Sequence, residues 1–364
     1  MSIVAEKIAL NVDGDDWLYP FDLTLEPGSF TTVVGPTRAG KTSLLRILSG
    51  LTKPSSGRLL VDGVDMTGVN VRKRSVGMVY QEFVNYPAKT VFENIAAPLR
   101  NAGESNEAIR QRVTDVADIV GISNLLDRFP LELSGGQQQR VAIARTIARK
   151  RQLILLDEPL VNLDYKLREH LRGEFRRIFA DSQTIAVYAS SEPTEALVLN
   201  GDVVIMSEGH LVQHGAAEEV YRSPRNVTAA RQVSEPPVSL LPASLELDGA
   251  RRKWFAGDTE IGPEPVHTSA LDAGDYQLGV FPHHLFTDQS ATGIPAQVDF
   301  IEVSGSNTFI YARACGAMLA IKERGINDYV IDQTVHVRFD PAHMLVFDRS
   351  GALVASPNGG AANG

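Results

Sequence analysis

A single cysteine, Cys315, leaves no partner for an internal disulfide, so the fold rests on packing and hydrogen bonds and a reducing compartment suits the chain. Long apolar runs are missing as well. No stretch approaches the ~18 consecutive apolar residues of a membrane helix, which makes a partner protein the expected route to any membrane. The opening "MSIVAEKIAL" is broken by Glu6 and Lys7, and a secretory leader is not expected from it. Positive charge is in deficit: 35 Lys+Arg stand against 44 Asp+Glu, a net charge of −9. Binding to nucleic acid normally needs a basic face that neutralises phosphates, so it is not expected here. The deficit lies mostly in residues 240–364, which hold 8 Lys+Arg and 15 Asp+Glu and leave 27 against 29 for residues 1–239.

What is present is a chain of 364 residues with 43% hydrophobic and 22% charged content, enough for two folded domains. Up to about residue 220, short apolar runs alternate with helical patterns, which predicts an α/β layer architecture around a mostly parallel sheet. "FTTVVG" and "QLILLDE" read as buried strands, and "TIAVYASSEPTEALVL" as a strand running into a helix. "NEAIRQRVTDVADIVGI" and "LSGGQQQRVAIARTIARK" read as helices, the second ending in a basic turn that suits its dipole. Prolines cluster near "SEPPVSLLP", after which short alternating runs such as "FIYARA" and "TVHVRFD" predict a small all-β domain. The expected domains are therefore residues 1–236 and 237–355, with residues 356–364 a small, polar, disordered tail.

Chemistry concentrates in three segments. "GPTRAGKTS" comprises Gly35, Pro36, Thr37, Arg38, Ala39, Gly40, Lys41, Thr42 and Ser43, and fits G-x-x-x-x-G-K-[ST] between a strand and a helix. Glycines there let backbone amides close around phosphate oxygens, Lys41 supplies a mobile positive charge, and Thr42 offers a hydroxyl to Mg²⁺. Taken alone, a Gly-rich turn of this kind can arise by chance. In "LILLDEP" an apolar strand ends in two carboxylates, with Asp157 suited to Mg²⁺ and Glu158 to polarising an attacking water. In "LSGGQQQR", Ser134, Gly135, Gly136 and Gln137 open a helix with bare amides, a second anion site on one chain. Two such helix ends for one nucleotide fit a head-to-tail dimer, each ATP held between the loop of one chain and the helix end of the other.

With these segments in order, the sequence resembles the ATP-binding subunits of ABC transporters over nearly its whole length. Gly35–Thr42 matches Walker A, Gln81 in "VGMVYQEF" the Q-loop, "LSGGQ" the signature, "LILLDEP" Walker B and Asp164 in "VNLD" the D-loop. The resemblance implies ATP and Mg²⁺ as cofactors, with Gln81 a further catalytic and metal-facing residue. The region after residue 200 and the linker look like the maltose-type branch, the ATPases of carbohydrate and polyol importers, whose C-terminal domain is an oligomer-binding-type β-barrel. "VYQEFVNYP" is similar to the paired ATPases of glycerol importers. Membership implies two integral-membrane permease subunits, a second ATP-binding subunit, an indirect link to a periplasmic solute-binding protein, and a peripheral place on the cytoplasmic face of the inner membrane. Phe83, Val84, Tyr86 and Pro87 would offer the permease an apolar groove, with core packing an equal alternative for Phe83.

Departures from the pattern narrow the reading. Val12 aligns where the family stacks an aromatic on adenine, with Trp17 and Tyr19 close by and a buried structural role open to Trp17. Arg38 replaces a usual glycine, read as solvent-facing, and Phe281 a usual arginine. Ser191 stands where the family places the histidine that reaches the γ-phosphate, and none of the eight histidines falls in that turn. The hydrolysis site on this chain's own phosphate loop is thus expected to be impaired while its "LSGGQ" is intact, which favours a heterodimer over a homodimer. Two other classes stay open: a regulatory subunit with structural nucleotide, supported by Ser191 and opposed by Glu158, and a nucleic-acid-directed ABC ATPase, opposed by the charge.

Overall fold

The computed structural model describes residues 1–82, 84–180, 183–248, 251–288 and 292–357, and divides into two compact units at Ala216 and Ala217. In the first unit, β1 (Ile3–Val12), β2 (Asp15–Leu25), β4 (Ser56–Val61) and β5 (Val64–Asp65) form an antiparallel sheet ordered β2-β1-β4-β5. A second sheet is ordered β10-β9-β3-β8-β7-β6, from β3 (Phe30–Val34), β6 (Val76–Val79), β7 (Leu153–Asp157), β8 (Ile185–Ser190), β9 (Asp202–Ser207) and β10 (His210–Ala216). All its pairings are parallel except β9 with β10. The helices are α1 (Lys41–Ser49), α2 (Val91–Arg100), α3 (Asn106–Ile119), α4 (Gly135–Ala148), α5 (Tyr165–Ala180) and α6 (Thr194–Leu199).

The period-two geometry of a strand explains why β7 reads as one unbroken apolar run. Leu153 and Leu155 pack with α1, while Ile154 and Leu156 pack with residues of α2 to α5. Both faces are covered, and each fully buried Leu or Ile contributes about 1.5–3 kcal/mol. In such sheets ligands sit beyond the carboxyl ends of the strands. Because β3, β8 and β7 are consecutive neighbours, the segments after Val34, Ser190 and Leu156 come out side by side.

The second unit has helices α7 (Ala217–Arg222) and α8 (Val227–Arg231) and two antiparallel sheets. One contains β11 (Ser239–Asp248), β12 (Arg251–Ala256), β13 (Thr259–Glu260), β14 (Gly274–Val280), β20 (Leu345–Phe347) and β21 (Leu353–Ala355). The other contains β15 (Leu285–Asp288), β16 (Ile294–Ser304), β17 (Asn307–Ala314), β18 (Ala317–Arg324) and β19 (Thr334–Phe339). They share one apolar core, and the Ala320 amide donates to Ser239 Oγ at 2.8 Å between them. This is the expected P-loop domain followed by a barrel-like all-β domain.

Two expectations change. The boundary lies about twenty residues before Pro236, because residues 217–236 bond to the β unit: the Val227 amide donates to Gly351 O at 2.9 Å and the Leu353 amide to Arg225 O at 3.0 Å. The stacking of Tyr221 on buried Phe281, centroids 4.6 Å apart, adds to this. Ser356, assigned to the tail, is buried with its hydroxyl 3.2 Å from that of Ser223, while 358–364 lie outside the described residues, as does Phe83. The basic turn stands at the carboxyl end of α4, where it suits the dipole, but it makes none of the hydrogen bonds to the last carbonyls. Arg112 of α3 donates to the carbonyls of Ile147 and Ala148 at 2.9 and 2.8 Å instead.

Candidate functional site

The loop from Gly35 to Gly40 keeps its shape through two constraints. A Cβ on Gly35 would meet the Met206 carbonyl at 2.3 Å, and Gly40, at φ 102, caps α1 in the left-handed region. Arg38 also has a positive φ, 70, which a glycine adopts with less strain, and it is exposed with Pro36 and Thr37, while Ala39 is buried. No side chain caps α1 and its first turn holds no acid. The first amides of a helix lack intrahelical partners, so this end suits an anion.

Lys41 is only 6% exposed. Its ammonium donates to Gly35 O at 2.6 Å, Pro36 O at 3.1 Å and Ser191 Oγ at 2.9 Å. Those are all three of its donors. Ser191 Oγ in turn donates to Glu158 Oε1 at 2.5 Å, and Lys41 Nζ lies 3.5 Å from the same oxygen. Burial pulls the Lys41 pKa down, opposed chiefly by Glu158. Thr42 Oγ1 donates to Asp157 Oδ1 at 3.1 Å. Asp157 is 2% exposed, and burial pushes its pKa up against that hydrogen bond. A carboxylate buried this way, with a neutral hydroxyl as its hydrogen-bond partner, favours a bound cation. A hydroxyl beside a carboxylate suits a hard cation such as Mg²⁺, which binds one or two protein oxygens and takes the rest from water and phosphate.

The structure thus joins Lys41, Thr42, Asp157, Glu158 and Ser191. It does not join Gln81, which is exposed beyond β6 and makes no hydrogen bond to any of them. Nor does any hydrogen bond link the phosphate loop to Ser134–Gln137. There the bare-amide expectation needs correcting: Ser134 Oγ accepts from the Gln137 amide at 3.4 Å and Gln137 Oε1 from the Ser134 amide at 2.9 Å, a capping box. Only the Gly135 and Gly136 amides remain open. Asp164 accepts from the Leu167 amide at 3.0 Å at the start of α5.

Sequence reasoning passed over several residues that shape the site. Arg172 of α5, buried, holds Glu195 at 2.7 Å and Glu192 at 3.1 Å, and so fixes the turn that carries Ser191. Asn94 donates to the carbonyls of Tyr86, Lys89 and Thr90 and accepts from the Tyr86 amide, which folds the Tyr86 loop. Trp17 is not buried. It is 52% exposed, and its carbonyl would lie 3.4 Å from a Cβ on Gly40. Tyr19 stacks on His210, centroids 3.9 Å apart, while Val12 packs against the core.

These features agree with known proteins. Residues 18–161 match the ABC transporter family model and residues 278–347 the TOBE domain model. The sn-glycerol-3-phosphate import ATP-binding protein UgpC of Yersinia pestis bv. Antiqua (strain Antiqua) is 33% identical over 92% of this chain and 94% of its own. The protein of the same name from Chromohalobacter salexigens is 34% identical, covering 93% and 91%. The uncharacterized ABC transporter ATP-binding protein YcjV of Escherichia coli O157:H7 is 31% identical over 90% and 92%. Among solved structures, the dimeric post-hydrolysis ATP-binding cassette MJ0796 bound to ADP and Pi superposes with TM-score 0.54 and 26% identity, covering 59% of this chain and 98% of that one. The chain belongs to the ATP-hydrolysing, ATP-binding subunits of ABC transporters, in the carbohydrate and polyol importer branch.

Proposed function

We propose that the chain drives import of a phosphorylated polyol, sn-glycerol 3-phosphate or a close relative, by binding and hydrolysing Mg-ATP. The observation that carries the nucleotide part is the junction of Lys41, Ser191 and Glu158 beside Thr42 and Asp157. The solute rests on the names of relatives that match this chain almost end to end. Lys41, the α1 amides and Thr42 hold phosphate oxygens, and Thr42 and Asp157 hold Mg²⁺. When bound, Mg²⁺ neutralises charge on the transferring phosphoryl group. Glu158 orients the attacking water through Oε2, since Oε1 is engaged by Ser191. Exposed Trp17 is the aromatic that stacks on adenine.

The working unit is a head-to-tail pair in which Ser134, Gly135 and Gly136 of one chain face the phosphate loop of the other. A second, different ATPase subunit is favoured, with two permeases receiving the Tyr86 loop and a solute-binding protein acting through them. Among the described residues no helix is long and apolar enough to cross a membrane, and the import ATP-binding proteins this chain resembles support peripheral attachment at the cytoplasmic face through the permeases. Lys41→Ala removes a charge-assisted contact of about 1.5–3 kcal/mol, or about 10–150-fold in affinity. Equilibrium dialysis with labelled ATP checks this, and equal binding by both proteins sinks the assignment. Uptake of sn-glycerol 3-phosphate by cells with and without the chain tests the solute separately.

A further inference from the structure

Arg72, Lys73 and Arg74 run into β6, and Arg149, Lys150 and Arg151 run into β7. The strands are parallel neighbours with Val76 opposite Leu153. The two basic tripeptides therefore meet at the amino end of the sheet, the end away from Lys41 and Asp157. Arg74 is used structurally, donating to the carbonyls of Leu48 and Val69 at 3.0 and 2.9 Å. Capping of α4 falls to Arg112, which leaves the second tripeptide unused. The side chains of Arg72, Lys73, Arg149, Lys150 and Arg151 make no hydrogen bond or ion pair with any described residue.

Among the described residues, exposed arginines without a carboxylate partner also occur singly elsewhere, as at Arg100, Arg110, Arg128 and Arg324, so what sets this face apart is that five unpaired cations come together. Exposed Arg58, Arg177, Arg222, Arg313, Arg338 and Arg349 each pair with a carboxylate. Around the tripeptides, cavities of about 430 and 230 Å³ share Arg149 and Arg151, and no Asp or Glu lines either. Burial, and then the Arg149 charge beside it, holds the Arg151 guanidinium below its usual pKa.

We propose that this face binds the anionic headgroups of a phospholipid surface. The charge count decides against a single small anion. A phosphate group carries about −1.5 to −2 near pH 7, so one would leave most of the five cations uncompensated. An array of singly charged headgroups neutralises them all. For a chain of net charge −9 with no membrane-crossing helix among its described residues, such a patch offsets long-range repulsion from an anionic bilayer. The site shares no residue with the nucleotide site and stands independently of the function proposed there.

The test is flotation of the purified full chain with phosphatidylcholine vesicles, with and without roughly 30 mol % phosphatidylglycerol, at rising salt. Binding is expected only with the anionic lipid and should fade with salt. Each basic residue near the surface is worth roughly fivefold in partitioning, so the exposed triple variant Arg72→Glu, Lys73→Glu, Lys150→Glu should lose about 100-fold or more. Unchanged ATP binding by that variant shows that it is folded. Equal binding to neutral vesicles, or an unaffected triple variant, overturns the proposal. So does displacement by inorganic phosphate at low concentration, which marks a small-anion site, or a preference for RNA over vesicles, which marks another polyanion.

Discussion

Ser191 joins groups that lie 150 and 33 positions away along the chain, the Lys41 ammonium and the Glu158 carboxylate. A hydroxyl can accept from one and donate to the other at once, which no apolar residue of its size can do. Glu158 sits at φ 47, a conformation that L side chains adopt with strain, so a short tether matters for where its free oxygen points. At the chain's own site, Ser191→Ala should slow single-turnover hydrolysis roughly tenfold, the loss of one charge-assisted hydrogen bond of about 1.5 kcal/mol. ATP affinity should hold or rise, because Lys41 regains a free donor. A parallel fall in affinity and rate, measured by dialysis and single turnover, would mean that Ser191 binds nucleotide instead. Trp17 allows a second check, since the chain's other tryptophan, Trp254, is 1% exposed. Saturating ATP should quench the exposed fraction of the fluorescence, and Trp17→Ala should both abolish the quench and weaken binding by about 1–3 kcal/mol. Unchanged fluorescence would return the stacking role to another residue.

Elements meet across distances that local patterns do not report. In the β unit, the turn before β15 and the turn before β20 place His284 between His283 and His343, with ring centres 4.2 Å from each. Burial and then the charges of these two rings lower the His284 pKa to about 4, with Asp340 opposing, and His283 is lowered by burial and by Lys322. The unfolded chain takes up its proton near the usual 6.5, while the folded one resists until about 4. Stability should therefore be whole above pH 6.5 and drain away as pH falls towards 4. Thermal denaturation across that range should show it, and His284→Phe should flatten the profile. An unaltered slope in the variant would discount the cluster. No periodicity foretold this grouping, because its members come from separate turns. The phosphate loop, the β7 carboxylates and the signature helix were legible because each is one contiguous segment with its own local geometry. Ser191's two bonds, Arg112 capping a helix other than its own, and α7 and α8 packing beyond the proline cluster were not, since each depends on a tertiary partner.

At the scale of the whole molecule, the two nucleotide-facing surfaces proposed for the chain are unequal. The half-site proposed to be lent to a partner has Gly135 and Gly136 in the first turn of a helix capped by Ser134 and Gln137, and a Cβ on Gly136 would lie 3.2 Å from the Asn162 carbonyl just before Asp164. The half-site it keeps relies on Ser191, whose hydroxyl is already committed to Lys41 and Glu158. A hydroxyl lacks the reach of an imidazole, so a contact with a terminal phosphate would need a bridging water. Pairing this chain with a subunit that carries a histidine at that turn makes most turnover occur where the partner's phosphate loop meets Ser134–Gln137. In the assembled transporter, Glu158→Gln should then reduce ATP turnover modestly. Ser134→Arg, which removes the cap and fills the lent site, should nearly abolish it, with a cap loss of about 1 kcal/mol too small to unfold the domain. Phosphate release from reconstituted wild-type and variant assemblies measures both. If Glu158→Gln is the more damaging change, the site beside Ser191 is the working one, and Ser191 serves as the full substitute for the absent histidine.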